Sequence, residues 1–207
     1  MNQNTTSNQS SKLRMLGRKK EPSDMISFSV QDKIESDFLK QHIHFLFGEI
    51  DEYNITRAIQ WIMYENNLDE KNKTLQLFIN SPGGDLYQAF ALIDAMSWSK
   101  VPIRTIGMGT VMSAAFLIFA SGEKGDRYIS KNCGIMCHQY TDFFEGKYHD
   151  LESYRKETEL CIQRMTNVLQ SATNLDSKGV KTKLLTPSDV WLTAEELLKL
   201  GAADHII

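Results

Sequence analysis

Three short segments in the second half of the chain carry residue types that together could perform acyl transfer. Asn-Ser-Pro-Gly-Gly occupies 80–84, Gly-Thr-Val-Met-Ser-Ala-Ala-Phe occupies 109–116, and Ile-Met-Cys-His-Gln occupies 135–139. The first predicts a tight glycine turn, the second a serine at the start of a helix, and the third a histidine at the end of an apolar strand. Acyl transfer requires exposed backbone N–H groups, a nucleophile and a base. The combination indicates a serine peptidase.

Ser113 is the candidate nucleophile of the second segment. Free serine is a poor nucleophile and needs a base to take its proton. Small neighbours, including Gly109 and Ala114, allow a sharp turn and a close substrate approach. The Gly-x-x-x-Ser spacing differs from the Gly-x-Ser-x-Gly nucleophile elbow. Taken alone, the motif is weak, because small residues with a serine at a helix start are more often a cap with close packing.

The glycine turn is the candidate oxyanion hole. Two glycines after a buried strand leave the backbone free to present N–H groups outward. The N–H of Ala114, directly after the nucleophile, is the natural second donor. Donors of this kind stabilise a tetrahedral oxyanion by roughly 3–4 kcal/mol each. The alternative is an ordinary strand-to-helix turn.

His138 is the strongest candidate base among the five histidines. It ends an apolar strand and is followed by polar residues, where an imidazole can face a cleft. His42 and His44 lie in an early strand, His149 starts a long helix, and His205 is close to the C-terminus. A core histidine at position 138 is the alternative.

A third group should orient the imidazole and stabilise its charged form. Several downstream aspartates qualify, and the residues alone do not choose among Asp142, Asp150, Asp176, Asp189 and Asp204. Asp189 follows Thr-Pro-Ser in a turn-like stretch, which suits a fixed loop carboxylate and also a plain helix start.

Composition places the chain among globular proteins of one full-sized domain. The 207 residues are 42% hydrophobic and 24% charged, with a net charge of −3 that predicts neither a nucleic-acid nor a membrane surface. No run approaches the roughly 18 apolar residues of a membrane span, and 1–24 lack a signal-peptide core.

The three cysteines, an odd number at low density, favour a reducing cytoplasm over a disulfide scaffold. Cys133 and Cys137 are metal-ligand candidates with His138, but their spacing matches no standard zinc pattern. The sequence therefore predicts neither a metal nor a cofactor.

The organisation of the chain predicts a flexible arm over 1–24 and a peptidase domain over 25–207. The arm is rich in Asn, Gln, Ser and Thr and contains a basic cluster at 18–20. Strand-like and helix-like segments then alternate, which indicates an α/β domain with a largely parallel sheet. We expect strands at 43–47, 75–79 and 101–106, and helices at 54–67, after Asp85 and after Ser113.

A long helix is predicted from about Tyr148 to Ala172. Its most apolar positions recur at steps of three and four, a heptad-like stripe. Two interpretations stay open: the helix lies on its own core, or it projects and packs against another subunit.

From about Phe38 to Ile207 the chain resembles the Clp protease proteolytic subunit (ClpP) family. The resemblance is carried by Phe-Ile-Asn-Ser-Pro-Gly-Gly at 78–84, by 109–122 aligned without gaps around Ser113, by the interval to His138, and by 191–204 near the C-terminus. Departures include Tyr140 where the family usually has proline, and Ser188 where it often has arginine.

The resemblance implies a ClpP/crotonase-like fold of repeated ββα units with a projecting long helix. It implies a Ser113–His138–Asp189 triad, with the N–H groups of Gly84 and Ala114 as the oxyanion hole. It also implies a homo-oligomer of two stacked heptameric rings that cleaves unfolded polypeptides. An AAA+ unfoldase partner would use the ATP, because the chain has no Walker A pattern.

Alternative functions on the same fold remain. One is a non-catalytic or partner-dependent ring subunit, and another is a phage-type maturation peptidase that works without an unfoldase. A crotonase-type acyl-CoA enzyme is disfavoured, because it would not need a serine at position 113.

Overall fold

The computed structural model describes residues 29–70 and 73–207. The predicted N-terminal arm over 1–24 lies outside these residues. Within them the chain forms seven helices: α1 (Val30–Lys40), α2 (Glu52–Asn66), α3 (Leu86–Trp98), α4 (Ala114–Ala120), α5 (Tyr148–Ala172), α6 (Ser177–Lys183) and α7 (Ala194–Leu200). The strands are β1 (Ile43–Phe47), β2 (Leu75–Ser81), β3 (Ile103–Met112), β4 (Arg127–Ile129), β5 (Gly134–Cys137), β6 (Val190–Leu192) and β7 (His205–Ile206).

The described strands form one sheet that branches at β3. Along its main path the order is β1-β2-β3-β4-β7, with every pair parallel. The end of β3 also pairs in parallel with β5, which in turn pairs antiparallel with β6. The α/β class and the largely parallel sheet predicted from the sequence are confirmed.

Strand β3 is longer than the predicted segment at 101–106, because it continues through two glycines to Met112. Its register against β2 shifts between Ile79 and Ser81, which marks a bulge. Gly109 lies in this irregular stretch with φ +62, and a Cβ there would meet the Asn80 amide. Beyond the bulge the pairing resumes, and β3 ends at Met112, directly before Ser113.

The core lies between the sheet and the helices that pack on it. Helix α4 is the most enclosed, since all seven of its residues are buried, and α2 and α3 bury one stripe each. The helix predicted after Asp85 is confirmed, and the Asp85 carboxylate caps it by accepting hydrogen bonds from the N–H groups of Tyr87 at 2.7 Å and Gln88 at 3.0 Å.

Helix α5 begins and ends where the sequence predicts. Its C-terminal half packs on the core of its own chain, with Cys161, Met165 and Leu169 buried. Its N-terminal half is open, with Tyr148 70% and Leu151 44% exposed. The first interpretation is therefore confirmed for the C-terminal half, and packing of the N-terminal half against another subunit stays a prediction. None of the helices among the described residues is long and apolar enough to cross a membrane.

Candidate active site

Ser113 lies at the junction between β3 and α4. Its backbone has φ +53 and ψ −124, a conformation that residues other than glycine rarely adopt. Its N–H donates to the Met136 carbonyl at 2.9 Å, and its carbonyl accepts from Phe116 N–H at 3.0 Å. These contacts hold the sharp turn that connects strand to helix.

His138 follows the last residue of β5 and reaches Ser113. Its Nε2 lies 2.7 Å from the serine Oγ, and its Nδ1 lies 2.6 Å from the carbonyl oxygen of Gln139. A carbonyl oxygen can only accept, so Nδ1 carries the proton and Nε2 is the acceptor for the serine hydroxyl. The parallel pairing of β3 with β5 explains the contact, because it aligns Met112 with Met136 and brings the two strand ends together.

The glycine turn after β2 lies against the nucleophile. Gly83 has φ +102, and a Cβ there would collide with the side chain of Ser113 and crowd the nitrogen of Ala114. Gly84 has φ +150, and a Cβ there would collide with the backbone of Ile50. Both positions require glycine because the turn is packed between two other backbone segments.

The N–H groups of Gly84 and Ala114 donate to no acceptor within residues 29–70 and 73–207. The neighbouring groups of the turn are used: Ile50 N–H donates to the Gly83 carbonyl at 2.9 Å, and Asp85 N–H donates to the Ile50 carbonyl at 2.8 Å. Gly84 and Ala114 both line the cavity that holds Ser113 and His138. Two free donors beside a nucleophile suit a developing oxyanion.

The backbone of Asp189 lies across the β5–β6 pair from that of His138, but the two side chains form no hydrogen bond among the described residues. The last pair of the β5–β6 ladder joins Cys137 to Val190, so the next residues outward are His138 and Asp189. Asp189 is exposed, and no hydrogen bond or ion pair joins the two side chains within the described parts of the chain. The other candidate aspartates bond elsewhere; Asp204, for example, pairs with Arg127 at 2.8 Å. The role of Asp189 stays a prediction.

The site opens into a cavity of about 310 Å³. Ser113, His138 and the glycine turn form one side of it, and Tyr87, Tyr140 and Met165 contribute to the walls. Sequence reasoning did not select Tyr87, Met165 or the Gln139 carbonyl. Tyr87 and Met165 come together from α3 and α5, and every residue has a carbonyl, so no local pattern identifies them.

Two other parts of the structure contain a possible nucleophile or base, but neither has the close contact seen between Ser113 and His138. A larger cavity of about 590 Å³ between α1, β1 and α2 includes Ser36 and His44, which share no hydrogen bond within the described chain. Burial raises the pKa of Cys133 to about 11 and that of Cys137 to about 12. Both thiols are therefore protonated at neutral pH and poor nucleophiles.

A family model described as Clp protease matches residues 28–207, which is nearly all of the chain. The match agrees with the ClpP/crotonase-like α/β fold and with the resemblance in the sequence. Membership in this family implies a peptidase that acts on peptides and assembles as an oligomer. The chain belongs to the Clp protease family.

Proposed function

We propose that this chain is a serine endopeptidase subunit of Clp type, with Ser113 as nucleophile and His138 as general base. The observation that carries the proposal is the 2.7 Å contact between Ser113 Oγ and His138 Nε2, next to two free backbone donors. Family membership supplies the substrate class, the peptide bonds of polypeptides.

The proposed reaction starts with attack of Ser113 Oγ on the scissile carbonyl carbon while the hydroxyl proton moves to His138 Nε2. The carbonyl oxygen becomes an oxyanion, which accepts hydrogen bonds from Gly84 and Ala114. Collapse breaks the C–N bond, and His138 returns the proton to the leaving amine. Water, activated by the same imidazole, then attacks the acyl-enzyme and releases Ser113.

We propose that Asp189 completes the catalytic triad with Ser113 and His138 after a small movement of this end of the β5–β6 pair brings its carboxylate to the imidazole. Until that movement occurs, the Gln139 carbonyl holds Nδ1–H and fixes the same tautomer. The exposed Asp189 also favours a second candidate: a subunit whose triad is aligned only after a partner packs on it. The two candidate functions make different predictions: the isolated homo-oligomer is active in the first and inactive in the second.

The assembly is proposed to be two stacked heptameric rings that enclose the sites, with an AAA+ unfoldase delivering unfolded chains in the cytoplasm. The open N-terminal half of α5 supports a contact between subunits, since Tyr148, Leu151 and Tyr154 are exposed there. Large apolar side chains on a projecting helix are typical of surfaces that a partner covers.

Labelling of the purified full chain with a fluorophosphonate tests the nucleophile. We expect one adduct, mapped by peptide mass to Ser113, and no adduct in Ser113→Ala, because alanine removes only the hydroxyl. Ser121→Ala is the matched control: its hydroxyl donates to the Leu117 carbonyl at 2.8 Å within a helix end, and we expect it to label like the wild type.

The size of the assembly is measured on the same samples by light scattering. An assembled protein that labels and cleaves peptides supports the leading candidate. An assembled protein that labels only after addition of a second subunit type supports the partner-dependent one. An assembled protein that labels at another residue, or never labels, would overturn the assignment of Ser113.

A further inference from the structure

One residue of β2, Asn80, lies opposite three residues of β3 at the bulge. The register passes from the pair of Ile79 with Gly107 to the pair of Ser81 with Val111, so the three β3 residues in between share a single counterpart. The backbone ladder is interrupted there, and the polar groups of the extra residues need other partners. The bulge comes just before the segment of β3 that leads to the proposed nucleophile.

The side chain of Asn80 replaces the missing part of the ladder. Its amide oxygen, Oδ1, accepts hydrogen bonds from the N–H of Thr110 at 3.1 Å and from the Thr110 hydroxyl at 3.2 Å. Gly109 leaves room for this contact, because a Cβ at that position would lie 2.5 Å from Oδ1. The backbone of Asn80 is held by the strand on the other side, since its carbonyl accepts from Gly48 N–H at 3.0 Å. One asparagine therefore joins β1 and β2 to the part of β3 beyond the bulge.

Thr110 is the residue through which this contact reaches the proposed base. It is the first residue of β3 that pairs with β5, and the ladder ends two residues later at Met112 and Met136. His138 comes two residues after Met136. Within the described parts of the chain, no other side-chain hydrogen bond joins β2 to residues 110–112. The Asn80 amide therefore helps to set the position of β5, and with it the base, relative to β2.

The glycine turn follows Asn80 closely, so the same amide also determines where the turn lies against the nucleophile. Gly83 and Gly84 come three and four residues after Asn80, and Gly83 lies against Ser113. A slip of one residue between β2 and β3 would move the nucleophile by about 3.3 Å relative to the turn. A misplacement of about 1 Å at the reacting atoms can already cost about a hundredfold in rate. The alignment of nucleophile, base and proposed oxyanion donors thus depends on the register at the bulge.

We propose that Asn80 is a positioning residue of the peptidase reaction, whose amide oxygen fixes Thr110 and thereby holds Ser113 in register with the glycine turn and with His138. The proposal rests on the proposed function of Ser113. Asn80 does not line the cavity that contains Ser113 and His138, so it acts through β3 and not on the substrate. The hydrogen-bond acceptor, and not the shape of the side chain, then decides the rate. An asparagine with a merely structural role would lower the stability of the domain and leave its folded molecules fully active.

Asn80→Leu and Asn80→Asp separate the acceptor from the shape. Both keep a branched side chain of similar size, but only aspartate keeps an oxygen for the N–H and hydroxyl of Thr110. We expect Asn80→Leu to lower kcat for a fluorogenic peptide, and the rate constant of fluorophosphonate labelling at Ser113, by about a hundredfold. KM should change by less than about threefold, because the substrate contacts remain. Asn80→Asp should recover most of the lost rate. All rates refer to assembled protein, as measured by light scattering.

Asn66→Leu is the matched control, because the Asn66 amide oxygen also accepts a backbone N–H from a distant part of the chain, that of Lys100 at 2.8 Å. Asn66 ends α2 and does not line the cavity. Urea unfolding should show a loss of stability in both leucine variants, whereas Asn66→Leu should keep the wild-type labelling rate. Hydrogen exchange of the peptide over 110–113, followed by mass, should be faster in Asn80→Leu alone.

Thr110→Val tests the same contact if Asn80→Leu does not fold. Valine removes only the hydroxyl and leaves the N–H bond to Asn80 in place. We expect labelling at Ser113 to be severalfold slower, a smaller effect than that of Asn80→Leu, because one of the two hydrogen bonds remains.

The outcomes separate this inference from the function on which it rests. Wild-type labelling rates in assembled Asn80→Leu, or in Thr110→Val where the leucine variant does not fold, overturn the positioning role alone. An Asn80→Asp variant as slow as Asn80→Leu overturns it as well, because a restored acceptor must restore the rate. Equal slowing in Asn66→Leu would show a general effect of lost stability and would also overturn it. Wild-type protein that assembles but never labels at Ser113 overturns both proposals.

Discussion

Ser113 adopts a backbone conformation that costs a residue with a side chain on the order of 1–3 kcal/mol. Strain of this size persists only where the surroundings impose it. Here Met136, Phe116 and the Gly83 turn fix the residue from three sides. The conformation directs Oγ toward His138 and leaves the next N–H free, so the strain serves the proposed chemistry.

A backbone carbonyl already holds the His138 ring, so substitution of Asp189 tests directly whether its carboxylate is needed for catalysis. If Asp189 completes the triad during turnover, Asp189→Asn should lower kcat/KM by about two to four orders of magnitude, because the imidazolium loses its counter-charge. Steady-state peptide hydrolysis measures this. Ser188→Ala, at the exposed neighbouring residue, should remain close to wild type. Wild-type activity in Asp189→Asn would show that the Gln139 carbonyl suffices.

At the residue scale, sequence predicted the parts whose types are chemically distinctive. Ser113 and His138 lie within hydrogen-bond distance because each directly follows a strand of the parallel β3–β5 pair, and their catalytic roles stay a prediction. The Gln139 carbonyl has no signature in a sequence, since it belongs to the backbone. The contact of Tyr87 with Glu157 joins residues 70 positions apart, which only the tertiary fold determines.

At the element scale, prediction succeeded where an apolar stripe was long. Helix α5 and strand β2 were found because buried positions recur along them. Helix α1 was not predicted, although Val30, Ile34 and Phe38 recur at steps of four residues; none of its residues is buried. Strand β6 has only three residues, too few for a periodic pattern, and it forms because β5 offers a free edge.

The packing of β1 on α2 predicts a pH-dependent stability. His44 stacks on Trp61 with ring centres 5.2 Å apart, and burial, helped by the charge of Arg57, lowers the pKa of His44 to about 4. The unfolded chain binds this proton near pH 6.5, so the contribution is complete above that value and is lost as pH falls toward 4.

Unfolding in urea at about pH 7 and about pH 5 measures this effect. We expect His44→Gln to remove about 2 kcal/mol of the wild-type loss between the two values. The control is His149→Gln, whose side chain is 89% exposed on α5. An equal pH dependence in wild type and His44→Gln would contradict the prediction.

At the scale of the whole molecule, one buried cation joins the ends of several elements. The Arg127 side chain is 3% exposed and forms an ion pair with Asp204 at 2.8 Å. It also donates to carbonyl oxygens at three helix ends, those of Ala120, Ala172 and Gly201. The C-terminal strand β7 is thereby tied to α4, α5 and α7.

Replacing this cation should destabilise the entire domain. Arg127→Met keeps most of the volume but leaves a carboxylate and three carbonyls without their donor, so we expect a loss of about 3–5 kcal/mol. Arg104→Met is the matched control: its pair with Asp126 is partly open to water and should contribute at most about 1 kcal/mol. Urea unfolding compares them, and similar losses would refute the proposed role of Arg127.

The branch at β3 predicts which part of the domain opens first on heating. His138 and Asp189 both lie at one end of the β5–β6 pair, which is joined to the sheet through only three aligned residues of β3. Ser113 and the glycine turn belong to the β2–β3 side, which has a longer ladder. Weakly attached units open locally before the rest of a domain unfolds. We therefore expect peptidase activity to be lost at a lower temperature than secondary structure, because His138 moves away from Ser113 before the rest of the domain unfolds.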